Sequence, residues 1–186
     1  MTLVCEQVDR LGQRALIRPG ERWPDNKGIH INAHGGGVLH HRGVFYWFGE
    51  HKIEGTAGNS AHVGVHVYSS TDLVHWTDRG IALEVSDLPG HDIERGCTLE
   101  RPKVIYNRST RQFVMWFHLE LKGQGYSAAK SGVAVSDSVT GPFRFIDSFR
   151  MNPGIWPENA PSAWRRPLSD VEIADARAIA TRGATR

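Results

Sequence analysis

Gly64-Val65-His66-Val67-Tyr68-Ser69-Ser70 and, 68 residues later, Gly132-Val133-Ala134-Val135-Ser136-Asp137-Ser138 are one pattern written twice. Each sets strand-forming residues behind a glycine and closes on small polar residues, which reads as a β-strand running into a turn. The likeness extends outward. Upstream, Phe45-Tyr46-Trp47-Phe48 is answered by Phe113-Val114-Met115-Trp116-Phe117, and Trp47 and Trp116 are 69 apart. Before these runs stand Val38-Leu39 and Val104-Ile105-Tyr106, with 66 residues between Val38 and Val104. Turns at His41-Arg42-Gly43 and Asn107-Arg108-Ser109-Thr110 join each pair into a hairpin. Downstream, Trp76 and Phe143 are 67 apart. Four landmarks in one order at nearly one offset make an internal repeat.

Each unit supplies four strands, predicted near 36–41, 44–49, 62–69 and 75–83, and near 102–107, 112–118, 131–137 and 143–149. A repeated four-stranded antiparallel sheet is the blade of a β-propeller. An eight-stranded sandwich is the other all-β arrangement of that strand count.

The composition is that of an ordinary globular chain. There are 186 residues, enough for one domain with a core, and the 20 glycines and 6 tryptophans suit aromatic strands joined by tight turns. The net charge is +2 with the signs interspersed, and no run of five Lys or Arg exists, so no nucleic-acid partner is expected. No stretch approaches the ~18 apolar residues of a membrane span, so no membrane partner is expected. Cys5 and Cys97 form no disulfide framework and no C-x-x-C pair. At the N-terminus Glu6 and Asp9 interrupt the place of an apolar signal core. As written the chain is expected in the cytoplasm, and outside the cell if its start is truncated.

Cys97-Thr98-Leu99-Glu100-Arg101-Pro102-Lys103-Val104-Ile105-Tyr106 holds the most informative carboxylate. Pro102 belongs at a strand's start or edge, which puts Glu100 at the mouth of the second unit's first strand. A carboxylate there needs a partner or a task. The partner reading is a rim salt bridge to Arg101 or Arg95. Glu50 poses the same choice at the end of the apolar run Val44–Phe48: an exposed strand end or a site residue. After Trp156 the pattern stops. Ser169-Asp170-Val171-Glu172 has the form of a capping box, and the alanine-rich run behind it predicts a helix over 169–182, ended by Gly183.

Together these stretches resemble a known family. Ile31-Asn32-Ala33-His34-Gly35-Gly36-Gly37 with Tyr46-Trp47-Phe48-Gly49-Glu50-His51-Lys52, Tyr68-Ser69-Ser70-Thr71-Asp72-Leu73-Val74-His75-Trp76, Glu100-Arg101-Pro102-Lys103-Val104 and Met115-Trp116-Phe117-His118 are similar to the first two blades of glycoside hydrolase family 43. The likeness is closest to the exo-β-1,3-galactanases and related β-galactosidases, over roughly residues 23–155. The resemblance implies an all-β, partial five-bladed β-propeller of about two four-stranded blades with a short C-terminal helix. The expected divisions are a lead-in over 1–22, the propeller over 23–155 and a non-propeller tail over 156–186. It implies hydrolysis of terminal galactose from β-1,3-galactan-type glycans with inversion of configuration, with a galactose-containing glycan as partner. The alternative is a non-catalytic carbohydrate-binding remnant or an inactive fragment.

By the same resemblance Glu100 binds the terminal sugar's hydroxyls and tunes the pKa of the catalytic acid, while Glu50 hydrogen-bonds sugar. Tyr126, in a glycine-rich loop before Ala128-Ala129, contacts sugar or anchors its loop. His34 lines the site. Trp47 and Trp116 are read as core rather than stacking platforms, because both lie inside apolar strands. His30 and His34, like His62 and His66, are four apart, but metal spacing of that kind needs a helix, which Gly35-Gly36-Gly37 and the alternation at 62–68 oppose. No metal is expected. No Lys-Ser/Thr pair follows the three glycines, so no phosphate loop and no cofactor are expected. Those glycines are expected to let the chain crowd the propeller axis.

The chain also departs from most of the family. The usual Asp base at the start of the first blade is replaced by Asn32-Ala33-His34, an absence that the galactanase branch shares. The family's general acid, a Glu of the third blade, lies beyond the sequence. Glu158 alone stands in a vaguely similar setting. Two blades do not close a ring, so uncovered sheet faces are expected to drive self-association, with part of the set Phe45, Trp47, Phe113, Met115 and Phe117 meeting water.

Overall fold

The computed structural model describes residues 17, 19–150, 170, 171 and 174. Eight strands run in chain order: β1 (His34–His41), β2 (Val44–Lys52), β3 (His62–Ser70), β4 (Thr77–Glu84), β5 (Thr98–Asn107), β6 (Gln112–Glu120), β7 (Lys130–Ser136) and β8 (Arg144–Phe149). They form two four-stranded antiparallel sheets, ordered β1-β2-β3-β4 and β5-β6-β7-β8. These are the two expected blades. The helix expected over 169–182 and Glu158 lie outside the described residues, apart from Asp170, Val171 and Ala174. So does most of the lead-in over 1–22.

The turn-forming residues act locally. At the end of β3, Asp72 Oδ1 accepts the Ser70 hydroxyl at 2.9 Å and the backbone N–H groups of Val74 and His75 at 2.9 and 2.8 Å. Ser70 Oγ accepts the N–H of Leu73 at 2.9 Å. The Ser-Ser-Thr-Asp stretch is therefore a self-bonded turn. It delivers Trp76 into the core one residue before β4 begins, so β4 starts later than its apolar residues suggest.

The two sheets face each other across one core. Phe48, Val65, Val67, Ala82 and Leu83 of the first meet Val104, Phe113, Met115, Phe117, Leu119 and Ala134 of the second. Each large side chain buried there contributes roughly 1.5–3 kcal/mol. Gly132 carries no side chain because the Phe117 ring fills that space. Of the set expected in part to meet water, Phe113, Met115 and Phe117 are buried between the sheets, while Phe45 and Trp47 are half-buried. Phe45 and Trp47 point to the far face of the first sheet, where Ile31, Ala33, Tyr68, Trp76 and Trp23 cover them. On the far face of the second sheet Trp116 is 37% exposed, so its assignment to the core is corrected.

The inner strands β1 and β5 share an irregularity. β1 bulges between His34 and Gly37, and β5 between Glu100 and Lys103, at equivalent places of the repeat. At the β5 bulge Arg101 has φ 53°. Pro102 thus sits inside β5, not at its start: an edge strand with a bulge leaves no ladder bond for proline to break. The strand begins four residues earlier, at Thr98.

Candidate functional site: a hydrogen-bonded carboxylate pair between the blades

The two bulges bring the ends of β2 and β5 together. Glu50, 4% exposed, and Glu100, 8% exposed, are both withdrawn from water. Glu50 Oε1 accepts the backbone N–H of Arg101 at 2.9 Å, which ties the first blade to the residue beside Glu100. The left-handed backbone of Arg101 aims that N–H. Gly35 lies against the Glu50 carboxylate, and a Cβ there would overlap it. With φ 53°, Gly35 also holds a backbone that other residues rarely adopt. The close approach expected of the glycine run is directed at this carboxylate and at the second blade's inner strand, since Lys103 Nζ bonds Gly36 O at 2.8 Å.

The remaining bonds form a directed chain. Lys52 Nζ meets Glu50 Oε2 at 3.1 Å and donates to Asn59 Oδ1 at 3.0 Å. Asn59 Nδ2 donates to the Tyr126 hydroxyl at 2.7 Å, and that hydroxyl donates to Glu100 Oε1 at 2.7 Å. From Lys52 through Asn59 and Tyr126 each donor points toward Glu100, and the chain ends on that carboxylate. Burial, and next the bond to Glu100, raise the pKa of Tyr126, which keeps its phenol a donor. Tyr126 is 45% exposed, so the chain opens to solvent there. Among the described residues nothing donates to Glu100 Oε2. The arrangement offers oriented carboxylate acceptors behind a solvent-exposed tyrosine, a donor and acceptor set that suits ligand hydroxyl groups.

Of the sequence-derived residues, the structure joins Glu50, Glu100 and Tyr126 in one network. His34 is exposed and stands opposite Glu50 in the β1–β2 register. The rim salt bridge considered for Glu100 is not formed: Arg95 pairs with Asp87 at 2.6 Å. Sequence reasoning missed Lys52, Asn59, His62, His118 and Glu120. His118 stacks on Tyr126 with centroids 6.0 Å apart, and its Nε2 lies 3.0 Å from Glu120 Oε1. Glu120 Oε2 accepts the N–H of Ala129 at 2.9 Å and so anchors the loop that carries Tyr126. The signal was present, since Glu120 ends an apolar strand as Glu50 does. His62 is 1% exposed and neither ring nitrogen has a hydrogen-bond partner. Burial, then the Lys52 charge, lower its pKa to about 4, so at neutral pH it is an uncharged ring beside charged neighbours. Among the described residues no three His, Cys, Asp or Glu side chains gather as metal ligands would.

Two stacked four-stranded antiparallel sheets of this kind are part of a β-propeller, and the comparisons place that fold in a family. A GH43 β-1,3-galactosidase solved with galactodeoxynojirimycin is 54% identical over 84% of this chain and 45% of its own, with a TM-score of 0.68. The exo-β-1,3-galactanase of Phanerochaete chrysosporium, solved with β-1,3-galactotriose, is 39% identical over 70% of this chain and 29% of its own, with a TM-score of 0.63. That of Clostridium thermocellum is 40% identical over 76% and 30%, with a TM-score of 0.64. Neither a protein-family model nor a curated protein matches the sequence. The chain belongs to glycoside hydrolase family 43, as part of its propeller, and spans less than half the length of these three relatives.

Proposed function

We propose that the Glu50–Glu100 end of the two blades holds the terminal galactose of a β-1,3-galactan-type glycan, in a glycosidase that removes this sugar with inversion. The observation that carries the reading is the directed chain from Lys52 through Asn59 and Tyr126 to Glu100, closed by Glu50 on the Arg101 amide. It holds two carboxylates as acceptors at the place where a sugar's hydroxyls would donate. In this reading Glu100 grips those hydroxyls and tunes the catalytic acid's pKa through its charge, while Glu50, Tyr126 and His34 complete the sugar's surroundings. Inversion needs an acid and a base about 6.5–9.5 Å apart with a water between the base and the sugar. Glu50, held by an ammonium and an amide, supplies binding and field. The proton donor and the base come from outside the described residues.

The commitment of both carboxylates as acceptors also favours a second reading, carbohydrate binding without hydrolysis. Calorimetry with β-1,3-galactobiose, paired with an assay for released galactose, separates the two. Binding should weaken about tenfold or more in Glu100→Ala and in Tyr126→Phe, with the far-UV spectrum unchanged. Equal binding by wild type and both variants removes these residues from the site. Loss of the acid alone costs about 10²–10⁴ in rate. Binding without galactose release therefore supports the second reading, and release abolished by Glu100→Gln supports the first.

A further inference from the structure

At the opposite end of the same strands the hairpin turns of the two blades meet. A cleft of about 310 Å³ opens between them, lined by His41, Arg42, Tyr46, Tyr106, Arg111 and Asp137 over an apolar wall. His41 packs on Tyr106 and Phe113 with ring centroids 5.1 and 5.0 Å apart, so the aromatic lining is fixed. Arg42 and Arg111 stand at left-handed backbone positions, φ 51° and 57°, where a turn favours glycine or asparagine. Turn geometry therefore does not account for arginine at either place. Among the described residues neither guanidinium meets a carboxylate. Asp137 is engaged through Oδ1, which accepts Gln112 Nε2 at 3.0 Å. Two unpaired guanidinium forks, one carboxylate with an oxygen to spare, and tyrosines with aromatic faces converge on one cleft.

Each group selects a chemistry. Arginine forks match a carboxylate bidentately. A carboxylate oxygen accepts hydroxyl donors, and aromatic faces with phenol tips suit a ring that is apolar on one side and hydroxylated on the other. We propose that this cleft is a second ligand site, for a small hydroxylated ring bearing one carboxylate, with Arg42 and Arg111 on the carboxylate and Asp137 on the hydroxyls. It rests on residues other than those of the galactose reading and stands or falls separately from it.

Backbone amide shifts of the full chain, titrated with D-glucuronate and with D-glucose up to roughly 20 mM, test the site. Glucuronate should bind about tenfold or more tightly than glucose, weaken as salt rises, and move amides at 41–46, 106–113 and 137–139. Arg42→Gly and Arg111→Gly suit the left-handed backbone, so the folded spectrum should persist while glucuronate affinity falls about tenfold in each. Equal response to both sugars, shifts confined to the Glu50–Glu100 end, binding that survives both substitutions, or no binding in this range would each overturn the proposal.

Discussion

Trp47 on β2 and Trp116 on β6 each lie on the face of their blade that is turned away from the other blade. Around Trp47 the chain supplies a cover. Trp23 lies 5.5 Å away and Trp76 5.2 Å away, centroid to centroid, and the Trp23 indole is pinned by a 2.8 Å bond to Val74 O. Ile31 and Ala33 complete the layer. The ring that meets Trp116 is Phe149, itself 40% exposed, at 6.1 Å, and Trp116 stays 37% exposed. A repeat can thus specify two equal sheets while their surroundings differ, because burial depends on what lies over a face and not on the strand's own pattern.

The sharpest test of that difference is a pair of substitutions. Trp47→Ala should cost about 2–4 kcal/mol in urea unfolding, since it opens a cavity under Trp23, whereas Trp116→Ala should cost under about 1 kcal/mol. Equal losses would mean that Trp116 is covered as well as Trp47.

The next test compares the starts of β3 and β7. Lys130, the counterpart of His62, has a partner in Asp92 at 2.8 Å, while His62 is buried without one. The His62 pKa in the fold, about 4, lies below its unfolded value, so the unfolded chain takes up this proton first as pH falls. The contribution is full above about pH 6.5 and is lost as pH drops toward about 4, by roughly 3 kcal/mol at most. His62→Gln should flatten that part of the stability curve. An unchanged slope would show that other groups set it.

The smallest effect concerns the open face itself. Ile105, Trp116 and Phe149 form an apolar patch on the second blade that a second copy of the chain can cover. Sedimentation should show association that rises with concentration, weakened about tenfold or more by Trp116→Lys with Phe149→Lys. Val38→Lys, on the exposed edge of the first blade, should leave it unchanged. A monomer at every concentration would show that the second blade's face needs no partner.

Much of this was legible in the residues. The period of the repeat located all eight strands to within a few positions, because turn chemistry and alternation are local. Glu50 and Glu100 could be read as unusual because each is a charge next to an apolar strand run. Pro102 misled, since a bulge frees a proline from the start of a strand, and a bulge leaves no compositional mark. The facing of the strands was not legible. Phe45 and Trp47 alternate as Phe113, Met115 and Phe117 do, yet the first pair points outward and the second set inward, toward Phe48 and Val67. Alternation shows that a strand has two faces without saying which one meets the neighbouring sheet.

The sequence by itself determined two four-stranded units, their turns, and carboxylates at the strand ends, all from contacts within a few residues or from a pattern repeated along the chain. Only the tertiary structure decided that Asn59 reaches Tyr126 across 67 positions, that Glu50 receives the Arg101 amide, and that His62 lies buried without a partner. Those relations depend on how two sheets stack and where two inner strands bulge, and a side chain's burial and hydrogen bonds are set by neighbours that the order of residues does not name.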